Sequence, residues 1–147
     1  ERYPAFAISW LSKRAKQVHW DEPRALNILC MSLLYFAAEC EQFPCEFCDL
    51  DLTLDLALRA NELTQGVDSY ILDTLARVYW ELGNRKKAIK FEQDALKYAG
   101  NEEAWDRLTN WAGPEKRWCE LIVEWYKNKP LGLTPTRSNI KGTSLYE

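Results

Sequence analysis

The stretch Ser69-Tyr70-Ile71-Leu72-Asp73-Thr74-Leu75-Ala76-Arg77-Val78-Tyr79-Trp80-Glu81-Leu82-Gly83-Asn84, followed by Arg85 through Gly100, decides the fold. Asp68 or Ser69 supplies a side-chain oxygen to cap a helix start. Gly83-Asn84 permits a left-handed backbone and stops that helix near Leu82. A second helix then occupies about 85–99 before Gly100-Asn101 resets the chain. Two helices joined by so short a turn must pack as an antiparallel hairpin, with small residues where the backbones approach and large apolar ones beside them. Ala76, Ala88 and Ala95 form the small set, and Leu72, Leu75, Tyr79, Ile89 and Phe91 the large one.

Working outward, 4–19 places Phe6, Trp10, Leu11, Ala15 and Val18 along one side of an amphipathic helix, with Lys13, Arg14, Lys16 and Gln17 between them. Asp21 is an N-cap candidate and Pro23 suits a first turn, so a second helix, apolar almost all round and therefore central, runs to about Cys40. The span 41–49 holds Pro44 and no sustained period, which predicts a loop. A third helix follows over about 50–63. Downstream, 102–111 reads as a helix stopped by Gly113-Pro114. A last helix sets Trp118, Leu121, Ile122 and Trp125 at i, i+3, i+4 and i+7. Beyond Asn128 the two Pro, two Gly and several Ser and Thr predict an irregular tail, free or docked along the helices.

At 147 residues and 47% apolar content the chain is sized for one domain with a real core. Its net charge of −3 offers no polyanion-binding surface, so no nucleic-acid partner is expected. The richest apolar run, 26–38, is interrupted by Asn27, Cys30 and Ser32, so no membrane insertion is expected and the chain reads as soluble. It starts at Glu1 without an initiator Met, which suggests a processed, trimmed or partial chain. Compartment is left open: cytoplasmic or extracytoplasmic, periplasmic if its cysteines are disulfide-bonded. Oligomeric state is likewise open.

Aligned on Gly83, the segment 69–100 resembles the tetratricopeptide-repeat family. Leu72 stands at the usual Trp or Leu position, followed by Leu75, Ala76, Tyr79, Gly83, Ala88 and Ala95. Two positions depart from the pattern, Glu92 where an aromatic is usual and Gly100 where Pro is usual. Repeat units of this kind need stacked neighbours. Trp105 and Leu108 stand 33 residues after Leu72 and Leu75 (105−72, 108−75), fitting a truncated following repeat. Leu26, Leu29, Cys30 and Leu33 match Leu72, Leu75, Ala76 and Tyr79 at an offset of 46 (72−26), whereas Leu56, Ala60 and Leu63 match Phe91, Ala95 and Tyr98 at 35 (91−56). The difference marks a degenerate repeat over about 23–64 with a cysteine-bearing insertion at 38–48.

The resemblance implies an all-α fold of antiparallel helical hairpins, a right-handed α-solenoid of about seven helices over 1–127 with an irregular tail at 128–147. It also implies a concave groove, faced by Tyr70, Asp73, Arg77, Trp80 and Glu81, that binds a protein or peptide partner. Exposed Trp, Tyr and Arg suit such recognition, although Tyr70 and Trp80 can equally pack against a neighbouring hairpin or the tail. Asp73 and Trp80 do not supply the basic and Asn residues of the family's carboxylate clamp. The segment 56–60 with 72–79 is similar, more loosely, to the helical region appended to bacterial extracytoplasmic thioredoxin-like proteins. No βαβ pattern accompanies it, so no redox activity is implied for this chain.

Chemistry-bearing residues are few. Cys40, Cys45 and Cys48, with Cys119 as a distant fourth, have zinc-ligand types but lack a second close Cys/His pair. A disulfide among the three or plain structural thiols are the alternatives. A reactive dithiol is opposed by the acidic neighbours Glu41, Glu46, Asp49 and Asp51, and Asp49 stands where a haem attachment motif needs His. His19, the one histidine, sits at a helix end beside Trp20 and suits a cap or surface role. No phosphate loop or nucleophile motif occurs. The expectation is a protein-interaction or assembly scaffold without catalysis or cofactor. The alternative is the helical accessory region of a larger thioredoxin-like protein, with a disulfide or metal in the cysteine loop.

Overall fold

The computed structural model describes residues 5–39, 49–100, 116–136 and 139–140, and these are all-helical. Six helices are defined: α1 (Ala5–Val18), α2 (Pro23–Glu39), α3 (Leu50–Leu63), α4 (Ser69–Glu81), α5 (Arg85–Tyr98) and α6 (Lys116–Asn128). The expected helix at 102–111, its Gly113-Pro114 stop and the cysteine loop with Cys40, Cys45 and Cys48 lie outside the described residues. None of the described helices is long and apolar enough to cross a membrane. The chain divides into two compact units, Glu1–Gly66 and Val67–Glu147. The division falls at the expected break, where Gln65 and Gly66 both take positive φ, 56° and 70°.

In the first unit α2 and α3 form the hairpin and α1 packs on α2 with a lesser contact to α3. Asp49 caps α3 by accepting from the Leu52 N–H at 2.9 Å. Leu26, Leu29, Cys30, Leu33 and Leu34 of α2 bury against Leu56, Ala57 and Ala60 of α3. Each fully buried Leu contributes about 1.5–3 kcal/mol. The start of α2 differs from expectation. Glu22 precedes Pro23 and its carbonyl takes the Leu26 N–H at 3.1 Å, while the Asp21 carboxylate instead meets Arg59 at 2.6 Å. Arg59 also donates to the Trp20 carbonyl and to Glu62, both at 2.9 Å, so it ties the α1–α2 turn to α3.

The face of α1 is a correction. Of the five residues expected on the buried side, Ala15 is fully buried, whereas Phe6, Trp10, Leu11 and Val18 are 63%, 55%, 39% and 54% exposed, and Ser12, fully buried, and Ser9, nearly so, take their place. Two stripes with helical period run along this helix. The small one lets α1 approach α2 closely, and the Ser12 hydroxyl is satisfied by the Ile8 carbonyl at 2.7 Å. Helix α2 is also less central than its composition implies, since Ile28 and Met31 are about half exposed.

In the second unit α4 and α5 form the predicted hairpin. Asp68 accepts from the Tyr70 and Ile71 N–H groups at 2.9 and 3.2 Å. Gly83, at φ 81°, turns the chain, and Asn84 caps α5 through the Lys87 N–H at 3.1 Å. Ala76, Ala88 and Ala95 have no exposed surface, Leu72 and Leu75 are buried, and Tyr79 stacks on Phe91 with ring centroids 5.4 Å apart. Helix α6 packs on α5. Its buried face is Cys119, Ile122, Val123, Trp125 and Tyr126, while Leu121 and Trp118 are only half-buried. The buried stripe is therefore rotated from the one read at Trp118 and Leu121.

Candidate functional site

The C-terminal part of α4 does not face open solvent. Trp80 is 1% exposed. Its ring stacks on Tyr126 of α6 at 4.7 Å between centroids, and the Arg85 guanidinium lies 5.2 Å from its centre. Arg85 also donates to the Tyr126 carbonyl. The remaining polar atom of Trp80, Nε1–H, donates to the Leu133 carbonyl at 2.8 Å, and Trp125 Nε1–H donates to the same oxygen at 3.3 Å. Two indoles therefore converge on one main-chain carbonyl.

That carbonyl belongs to the segment after α6, whose described residues, 129–136 and 139–140, are irregular and dock on the helices of this unit. Lys129 N–H still bonds the Trp125 carbonyl at 2.9 Å, and Leu133 N–H closes a turn on Pro130 at 3.4 Å, with Gly132 at φ 94°. Thr134 Oγ1 donates to Glu81 Oε1 at 3.4 Å, the oxygen that also takes the Arg77 Nε–H at 2.7 Å. Asn139 Nδ2 donates back to the Thr134 carbonyl at 2.9 Å. Pro135 and Ile140 are buried, whereas Leu131 and Leu133 stay nearly half exposed. The segment is held by its backbone, by the Thr134 hydroxyl and by Pro135 and Ile140, not by its leucines.

Of the five residues assigned to the groove, Arg77, Trp80 and Glu81 line this tail-covered face. Tyr70 is half-buried in the first turn of α4, where its carbonyl takes the Thr74 hydroxyl at 3.0 Å. Asp73 turns towards Glu92 of α5 and Trp118 of α6. It belongs to a second polar cluster.

Glu92 lies on the buried stripe Ala88, Glu92, Ala95 of α5, with no exposed surface and neither carboxyl oxygen in hydrogen-bond geometry. Burial, and next the charge of Asp73, hold its carboxyl well above the ordinary range. Burial raises Asp73 as well, and contacts with Glu92, Trp118 and the Arg77 charge oppose that rise. The pair as a whole therefore holds a proton to higher pH than two free carboxyls would. The same pair, after burial, pushes the Cys119 thiol up, and burial leads the upward shift of the Tyr126 phenol. Glu92 was legible as a departure from the repeat pattern and, at i+4 from Ala88, as a residue on the buried stripe.

Cys30, buried in α2, donates to the Thr53 carbonyl at 3.4 Å and its thiol is pushed up to about 12 by burial. Cys30 and Cys119 are free, buried thiols, a setting that holds the unreactive protonated form. His19 is partly exposed with Nδ1 3.2 Å from Glu22 Oε1, as suits a helix end. Among the described residues no group of three or more His, Cys, Asp or Glu is placed to hold a metal ion. The zinc reading of Cys40, Cys45 and Cys48 with Cys119 falls mostly outside those residues. No protein-family model matches the chain, and neither a curated protein nor a solved structure matches it significantly.

Proposed function

We propose that this chain is a non-catalytic protein-interaction scaffold, a tetratricopeptide-like array of helical hairpins whose α4 face reads the backbone of an extended peptide. The observation that carries this reading is the convergence of the Trp80 and Trp125 N–H groups on the Leu133 carbonyl. A main-chain carbonyl is offered by any extended segment, so donors aimed at one recognise conformation first and sequence second. The ring of Trp80 supplies the rigid apolar wall, and the Arg77–Glu81 pair supplies a charged edge that can meet a hydroxyl, as it meets Thr134. The tail then fills the position of a partner peptide, and a partner engages by displacing it.

The test is peptide binding. A fluorescent peptide with the sequence 129–140 is titrated into a chain shortened to end at Asn128, with its fold checked by circular dichroism. Saturable binding, weakened about tenfold by Trp80→Phe with Trp125→Phe, supports a peptide-reading face. A folded shortened chain that binds no peptide makes the tail a structural strap and removes the proposal. The competing redox reading rests on Cys40, Cys45 and Cys48; the buried, protonated Cys30 and Cys119 add nothing to it.

A further inference from the structure

On α1 the stripe Phe6, Trp10, Leu11 and Val18 presents large apolar side chains to solvent, each 39–63% exposed. Scattered exposed leucines are ordinary on a protein surface, but four large apolar residues on one face of one helix form a patch of the kind that marks an interaction site. Trp10, Leu11, Arg14, Val18 and His19 line an open groove of about 280 Å³. The opposite face of α1 is already used, since Ser12 and Ala15 are buried. The apolar stripe is therefore left over after the first unit has built its core.

Charge says what covers it. Helix α1 carries Lys13, Arg14 and Lys16 and no Asp or Glu between Ala5 and Val18. Lys16 is matched by Asp55 at 3.1 Å and Asp21 by Arg59, while Glu22 is held by His19 at the end of the groove. Arg14 remains exposed at the groove, its guanidinium 4.9 Å from the centre of the Trp10 ring, and Lys13 is exposed next to it on the same helix. A second copy presenting the same basic face would set like charges together. A bilayer surface would meet the charge and take up an apolar stripe, but a concave groove beside Trp10 matches the discrete side chains of a partner helix.

We propose that the exposed face of α1 docks an acidic amphipathic helix, apolar anchors entering the groove beside Trp10 and carboxylates pairing with Lys13 and Arg14. This site is independent of the α4 face. Apolar insertion supplies the affinity and the basic rim supplies selectivity and salt sensitivity.

The experiment titrates the full chain with two synthetic helical peptides of about 14 residues, both with Leu at i, i+3, i+4 and i+7, one with Glu at the remaining positions and one with Lys. The Leu/Glu peptide binds at least about tenfold more tightly than the Leu/Lys peptide at low salt, and the gap narrows as salt rises. Trp10→Ala weakens the Leu/Glu peptide about tenfold or more. Lys13→Glu with Arg14→Glu reverses the preference. All three side chains are exposed, so unchanged helical content by circular dichroism confirms that the variants fold. Equal binding of the two peptides, or binding indifferent to Trp10→Ala, overturns the proposal. So does binding only to phosphatidylglycerol vesicles, which gives the face to a membrane, or a dimer dissolved by Trp10→Ala, which gives it to a second copy.

Discussion

Trp80 and Leu133 are 53 residues apart and joined at 2.8 Å, indole N–H to main-chain carbonyl. This bond fastens the tail to the hairpin, and Trp80→Phe isolates it, because the ring stacked on Tyr126 is largely kept while the donor is lost. The expected cost is about 1 kcal/mol, the net worth of one hydrogen bond, with the Leu133 carbonyl keeping Trp125 as a donor. Trp80→Ala also removes the stacked ring and costs about 3–5 kcal/mol. Urea melts give both values, and limited proteolysis reads the tail directly. Faster cleavage near 129–136 in Trp80→Phe is the expected result, and an unchanged cleavage rate would show that the bond does not hold the segment.

Glu92 predicts a pH dependence whose sign is fixed by its burial. Its carboxyl rises well above the ordinary value of 4.5 in the folded chain, and Asp73 shifts in the same direction. Between the unfolded and folded values the folded state holds more protons, so stability falls as pH rises. The contribution is fully present below the unfolded value and lost as pH climbs through the folded one. Asp73, Arg77 and Glu81 of α4 and Cys119 and Tyr126 of α6 are other titratable or charged groups in this cluster. Glu92→Gln keeps the shape without the proton, so its urea midpoint should fall less than wild type as pH rises above the ordinary carboxylate range. Parallel curves for the two proteins would assign the pH dependence elsewhere.

These two sites differ in how far sequence could reveal them. The α4–α5 hairpin was readable because its small set, Ala76, Ala88 and Ala95, has a spacing that only close helix packing uses, and all three are buried. Asp68 and Gly83 punctuate it through backbone chemistry that is local to the sequence. The α1 face was not readable: the stripe of Phe6, Trp10 and Val18 and the stripe of Ser12 and Ala15 have the same period. Close approach of α1 to α2 decided for the smaller residues. The docking of the tail was one of two open alternatives and could not be decided, because the atom that anchors it, the Leu133 carbonyl, is common to every residue. Glu92 gave a signal in its position, but its meaning depends on Asp73 and Cys119 arriving from two other helices.

Cys30 and Cys119 should resist alkylation in the folded chain. Burial pushes the Cys30 thiol up to about 12, and burial with the Glu92 and Asp73 charges raises Cys119 further. At pH 8 the reactive thiolate is therefore scarce at both positions, and reagent access is poor as well. Iodoacetamide labelling followed by mass spectrometry should spare these two until denaturant is added. Native labelling of either at the rate of the unfolded chain would show that its surroundings open readily.

Ala88 tests the hairpin packing itself. It has no exposed surface and sits in the small set where α4 and α5 approach. Ala88→Leu inserts three extra carbons into a close-packed seam, which forces side chains off their rotamers or the helices apart. The expected destabilisation is about 1–3 kcal/mol, even though Leu is a good helix former and more apolar. Lys90→Ala, on the exposed side of the same helix, should change stability by no more than about 0.5 kcal/mol. A pair of urea melts compares them. If Ala88→Leu were neutral or stabilising, the seam would contain slack, and the small residues at 76, 88 and 95 would owe their identity to something other than close approach.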